Sequence, residues 1–166
     1  MTDLKAIREE IEKAYISLEE HGLVIGNLGK VTVCQEDGSV VEYPDNSDAS
    51  LCEKGEYAIR FHSDYVLALS CLNEDLPCIT NQMASVLGGA ISYSRKSGIK
   101  AQLLKNNGAC CYGETLEEAI LCCKVLEKAA KVYLTLSSFG NAYELSDEQI
   151  QSLSRFLSVV DYKGGI

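Results

Sequence analysis

His21 and His62 are the chain's two imidazoles, and imidazole is the side chain that most readily moves a proton near neutral pH or holds a transition metal. A catalytic zinc usually takes three protein ligands and leaves a fourth position open, so two histidines fall short of such a site. His21 falls at the end of a predicted helix, where a polar or cationic side chain complements the last carbonyls, and no chemistry is assigned to it. His62 stands where a strand gives way to a helix, a favoured place for a functional side chain in an α/β protein. Capping, or bonding to a backbone carbonyl, is its structural alternative. The second feature is the run Gly26-Asn27-Leu28-Gly29-Lys30, in which glycine lets backbone N–H groups approach a ligand and Lys30 adds charge. It has neither the spacing of a nucleotide-binding loop nor that of a dinucleotide fold, and a tight turn is its structural reading. The eight cysteines contain no C-x-x-C pair, and Cys110-Cys111 and Cys122-Cys123 are adjacent, so their side chains diverge on a strand or a helix. They read as reduced thiols packed as small apolar residues.

The elements that position these residues follow from periodicity. Thr2 or Asp3 can cap a first helix whose apolar positions are Ile7, Ile11, Ala14, Tyr15 and Leu18, with Gly22 as its stop. Lys30 to Gln35 and Val40 to Tyr43 read as a hairpin turned at Asp37-Gly38, and Pro44 to Glu53 as a polar surface loop. Tyr57 to Phe61 reads as a strand, and Ser63 can cap a short helix through Leu72. Pro77 interrupts, and Asn81 to Leu87 is a candidate helix ended by Gly88-Gly89. Lys100 to Leu104 and Ala109 to Tyr112 are either two strands turned at Asn106-Asn107-Gly108 or one bent strand. Thr115-x-x-Glu118 is a capping box that opens a helix running to about Ser138, and Ser146-x-x-Gln149 opens the last one. With 166 residues and no repeat, one domain over residues 1–166 is expected, an α/β fold with strands mid-chain and helices around them.

Composition narrows the function classes. A net charge of −9 disfavours a nucleic-acid partner, which needs clustered Lys and Arg. The chain has no apolar run long enough to span a bilayer, and its first residues lack the apolar stretch of a secretory signal. No membrane association is expected, and the cytoplasm is the expected location.

Taken in order, Gly22-Leu23-Val24 with Gly26 to Val33, then HSDYVLALSCLNEDLPCITNQMASVLGG, then KAQLLKNNGACCYGETLEEAILCCKVLEKAAKVYL and Leu145 to Ile150, resemble the class II aldolase/adducin family. That family includes fuculose-phosphate and rhamnulose-phosphate aldolases and ribulose-phosphate epimerase. The resemblance covers most of the chain and is strongest from Lys100 to Ile150. It implies a three-layer α/β/α fold around a mixed, mostly antiparallel sheet. It also implies carbon–carbon lyase or epimerase chemistry on sugar phosphates, and a homo-oligomer, as a ring of four with sites near subunit boundaries. Family members hold zinc or a similar ion through a His-x-His pair and a later His before glycine, and the ion polarises an enediolate oxygen.

Here the first motif reads Arg60-Phe61-His62 and the second Asn107-Gly108, so His62 alone remains as a metal ligand. The family's acid/base carboxylate lies upstream, in a stretch that is short in this chain, and Glu42, Glu53 and Glu56 are all in range. The resemblance places Asn27, Gly29, Lys30 and Thr32 on a phosphate-cradling loop, Lys30 replacing an asparagine, with Asn107 and Gly108 as further substrate contacts. Tyr162 is a tail residue that could reach a neighbour's cleft. Three readings follow: a fold that has outlived its lyase chemistry and serves as a ligand-binding or assembly module, with no cofactor; an enzyme in which Arg60 stabilises an oxyanion and His62 moves protons; or a rebuilt zinc or other divalent site drawing on Cys110, Cys111 or a glutamate. Its ligand would be small, and anionic or carbonyl-bearing.

Overall fold

The computed structural model describes residues 4–45 and 52–157. Thr2, Asp3 and Tyr162, singled out above, lie outside them. The first helix, α1 (Leu4–Glu20), buries the five apolar residues expected of it, Ile7, Ile11, Ala14, Tyr15 and Leu18. It stops at Gly22, whose φ of +70° is the left-handed conformation that glycine adopts without a steric penalty. Two bonds close the helix end, Gly22 N–H to the Glu19 carbonyl at 3.0 Å and Leu23 N–H to the Leu18 carbonyl at 2.9 Å. This is the paired arrangement that satisfies the last carbonyls and tucks the following apolar residue back on the helix, and Leu23 and Leu18 are both buried.

Five strands form one sheet: β1 (Lys30–Cys34), β2 (Val40–Tyr43), β3 (Glu56–Phe61), β4 (Ala101–Leu103) and β5 (Ala109–Gly113). Their order is β2-β1-β3-β5-β4, and all four pairings are antiparallel. The predicted turn between β1 and β2 forms at Asp37-Gly38, where the Asp37 carboxylate accepts from the Ser39 backbone N–H at 2.8 Å and Gly38 has φ +85°. β4 and β5 are two strands rather than one bent one, paired Ala101 to Cys111 and Leu103 to Ala109.

Alternation sorts the side chains. Val31, Val33, Val41, Ile59, Phe61 and Cys111 join the main core with α1 and with α3 (Leu116–Ser137). The opposite face carries Lys30, Thr32, Ala58, Arg60, Cys110 and Tyr112 in register. Ala58, Cys110 and Tyr112 form a small second cluster with Cys52 and Leu104.

The Ser146–Gln149 capping box forms in full, and the Thr115–Glu118 one is shifted by a residue on its return bond. The Thr115 hydroxyl oxygen accepts from Glu118 N–H, and the Glu118 carboxylate reaches back to the Glu114 N–H at 2.7 Å. Ser146 and Gln149 exchange reciprocal bonds at the start of α4 (Asp147–Leu157). Between Gln82 and Gly88 the chain makes a π-helical turn, Met83–Leu87, because Gly88 N–H reaches the Met83 carbonyl five residues back at 3.0 Å. Helix α2 (Asp64–Cys71) follows Ser63 as expected, but the Ser63 side chain makes no cap bond of its own. All eight cysteines are free thiols, six of them buried. No helix among the described residues is long and apolar enough to cross a membrane.

Candidate functional site

Antiparallel pairing brings the start of β1, the end of β3 and the start of β5 to one end of the sheet, and most of the residues singled out in the sequence gather there. Lys30 pairs with Arg60, and Arg60 with Cys110. His62 follows β3 by one residue and is fixed by its own N–H, which donates to the Leu23 carbonyl at 3.2 Å. Gly108, with φ +72°, lies against the same point: a Cβ there would fall 2.8 Å from the His62 Cα and closer still to the Phe61 carbonyl oxygen. Gly29 is pressed against β3 in the same way, its would-be Cβ 2.9 Å from the Arg60 carbonyl oxygen. Glycine is needed at both positions by close approach of backbone.

The Asn106-Asn107-Gly108 turn is tied to α2. The Ser70 hydroxyl accepts from Gly108 N–H at 3.0 Å, the Ser70 carbonyl accepts from Asn106 N–H at 2.9 Å, and Asn107 N–H reaches the Leu104 carbonyl. The N-terminus of α2, which follows His62 directly, is held from across the molecule. The Glu127 carboxylate on α3 accepts from the Ser63 hydroxyl at 2.6 Å and from the N–H groups of Tyr65 and Val66 at 3.3 and 3.0 Å. Sequence reasoning missed Ser70 and Glu127. Their partners lie 38 and 61 to 64 residues away, and no local spacing rule reports such a pairing.

Two environments act on the His62 imidazole in one direction. Burial first, and the Arg60 charge second, hold its pKa below the ordinary histidine value, so the ring is neutral at neutral pH. Its Nε2 is buried and has no hydrogen-bond partner among the described residues. An unsatisfied buried ring nitrogen costs free energy, and such atoms concentrate at functional sites. The Arg60 guanidinium crosses the sheet end to donate to the Leu28 carbonyl at 3.3 Å.

The Gly26 to Lys30 loop is gripped by α1. The Tyr15 hydroxyl donates to the Gly26 carbonyl at 2.7 Å and accepts from Gly29 N–H at 3.1 Å. One turn later on the helix, the Glu19 carboxylate accepts from Gly26 N–H at 2.9 Å, and Leu28 N–H bonds the Ile25 carbonyl. Lys30 is only 3% exposed, and its ammonium is 3.1 Å from the Glu42 carboxylate. Thr32 is equally buried, two residues into the strand. The i, i+4 spacing of Tyr15 and Glu19 is visible in the sequence, but Tyr15 reads there as part of the apolar stripe.

The carboxylates in range of the acid/base role are all engaged: Glu42 with Lys30, and Glu53 and Glu56 with Arg95. The Arg95 guanidinium lies 3.8 Å over the Tyr112 ring. Cys110 belongs to the small cluster that includes Tyr112, and Cys111 to the main core. Burial pushes both thiols up, away from the thiolate that binds metal. Among the described residues no group of three His, Cys, Asp or Glu side chains is placed to hold a metal ion.

No protein-family model matches the chain, and no curated protein sequence matches it significantly. Solved structures do. An L-fuculose 1-phosphate aldolase superposes with a TM-score of 0.73 at 20% identity, over 92% of this chain and 96% of that one. YgbL from Escherichia coli superposes with a TM-score of 0.71 at 20% identity, over 91% of this chain and 99% of that one. The L-fuculose 1-phosphate aldolase from Glaciozyma antarctica PI12 gives a TM-score of 0.68 at 16% identity, over 95% of this chain and 85% of that one. The chain therefore has the class II aldolase fold seen in these structures.

Proposed function

We propose that this chain is a class II aldolase/adducin-like protein that has kept the fold, lost metal-dependent cleavage of a sugar phosphate, and acts as a ligand-binding or assembly module. The observation that carries the reading is the environment of His62: one neutral imidazole, its Nε2 buried and unpartnered among the described residues, with the Arg60 charge acting on it. A divalent ion does not fit these residues. Guanidinium has no lone pair to donate, the Asn107 carboxamide is a weak oxygen ligand that zinc seldom takes, and the nearby thiols favour the protonated form. The purified protein is expected to carry well under one equivalent of zinc and to leave L-fuculose 1-phosphate uncleaved. One equivalent of metal, with cleavage abolished in His62→Ala, would sink the proposal.

The same imidazole supports a second reading, an enzyme that works without a resident metal. A neutral ring with an uncommitted nitrogen can accept a proton, and Arg60 can stabilise an oxyanion beside it. Turnover of a small carbonyl compound that vanishes in both Arg60→Ala and His62→Ala would favour this alternative. By the same resemblance the protein is read as a cytoplasmic homo-oligomer, a tetramer when purified, which light scattering coupled to size-exclusion chromatography would test.

A further inference from the structure

The glycine loop at the sheet end has the composition of an anion cradle, yet three of its backbone donors are spent inside the chain. Gly26 N–H is taken by the Glu19 carboxylate, Gly29 N–H by the Tyr15 hydroxyl and Leu28 N–H by the Ile25 carbonyl. The one ammonium in the loop, Lys30, is buried against Glu42. A phosphate dianion needs several convergent N–H groups or an available cation. Here it would meet a fixed carboxylate at the loop's first glycine, in a chain of net charge −9.

From these contacts we infer that Glu19 is a specificity-determining residue: it stands as an internal anion on the Gly26 to Gly29 loop and excludes phosphorylated ligands from the Arg60–His62 site. The ligand of that site is then a small unphosphorylated compound presenting an oxygen to Arg60 and His62. This rests on the ligand-binding reading above and narrows it. Tyr15 is a positioning residue in the same device, because its hydroxyl joins Gly26 to Gly29 and so fixes the loop that Glu19 closes.

The test titrates inorganic phosphate into the full chain by calorimetry, with sodium chloride matched for ionic strength. Wild-type protein is expected to show no saturable binding. Glu19→Ala, which removes the charge and frees Gly26 N–H, is expected to bring saturable phosphate binding into the titrated range, a gain of at least about tenfold over wild-type protein, the order expected for one like charge removed beside a dianion in a solvated setting. Amide exchange gives an independent readout in case a variant folds poorly: Gly26 and Gly29 are protected in wild-type protein, and Tyr15→Phe speeds exchange at Gly29. Saturable phosphate binding by wild-type protein, no gain in Glu19→Ala, or unprotected Gly26 and Gly29 amides in wild-type protein would each overturn the inference. Metal content and sugar-phosphate cleavage test the broader reading separately, so either can fail while the other stands.

Discussion

Glu127 is the sharpest place to test whether the site end is held from across the molecule. Helix α2 has eight residues, too few to be stable alone, since isolated helices below about 12–15 residues are marginal in water. Its first turn depends on a carboxylate contributed by α3, which accepts three bonds from Ser63, Tyr65 and Val66. Loss of a capping acceptor costs ~0.5–2 kcal/mol, and stranding the buried Ser63 hydroxyl adds ~1 kcal/mol. Glu127→Ala is therefore expected to destabilise by about 1.5–3 kcal/mol. Glu127→Gln retains the oxygen that accepts from Ser63 and Val66, and loses the weaker 3.3 Å bond from Tyr65 N–H together with the charge at the helix N-terminus, the latter about 0.3–1 kcal/mol. Urea unfolding followed by circular dichroism would read both. With a slope of ~1–3 kcal/mol/M, the alanine midpoint falls by about 1 M while the slope stays constant. An alanine variant within about 0.5 kcal/mol of wild type, or a glutamine variant as damaging as alanine, would refute the capping argument. Because Ser70 on the same helix holds the Gly108 turn, Glu127→Ala should also speed amide exchange at Gly108.

Further consequences follow from single residues. Gly108→Ala combines a positive φ with a Cβ driven into the Phe61 carbonyl and the His62 Cα, and thermal unfolding should register a loss of about 3 kcal/mol. The depressed pKa of His62 means that the unfolded chain takes up a proton first as pH falls. Its contribution to stability is complete above the unfolded value of about 6.5 and is lost as pH drops from there to the folded value. His62→Gln should flatten the stability profile between pH 7 and 5, measured by urea midpoints; an unchanged slope would count against a buried neutral ring. Thiol labelling of the native protein should modify the exposed Cys71 first and Cys52 more slowly, while the buried Cys110, Cys111, Cys122 and Cys123 react only on unfolding.

The elements with strong local signals were legible in the sequence. The apolar stripe and stop of α1, the Asp37-Gly38 turn and the Ser146–Gln149 capping box are each written in residues close together in sequence, and each forms; of the two readings open for Lys100 to Tyr112, the turned pair of strands is the one that forms. Contacts that depend on packing were not. Ser63 looks like a self-capping residue, but its hydroxyl points to a carboxylate 64 residues away. Asn81 to Leu87 has the length of an α-helix, and the Gly88 bond to Met83 converts its last turn to π geometry. The site was half legible: glycines, His62 and Arg60 converge because antiparallel strands return to the same sheet end. Lys30 looked like a cation offered to a ligand, and only the β1–β2 pairing shows it sealed against Glu42.

That pairing also explains why the sheet end is organised around ion pairs. Lys30 and Arg60 stand directly opposite each other on β1 and β3, an arrangement that costs free energy unless anions or carbonyls intervene. Glu42 answers Lys30 from the diagonal position on β2, and Arg60 turns outward to the Leu28 carbonyl. A divalent cation at His62 would be repelled by the Arg60 charge, which already lowers the pKa of that imidazole, and a single imidazole would have to offset the repulsion without the rest of a zinc ligand set. Arg60→His, which removes the charge and adds an imidazole, should raise the zinc affinity of the protein by two or more orders of magnitude if charge is the main obstacle. If affinity does not change, the geometry around His62 is the obstacle instead, and the electrostatic account fails.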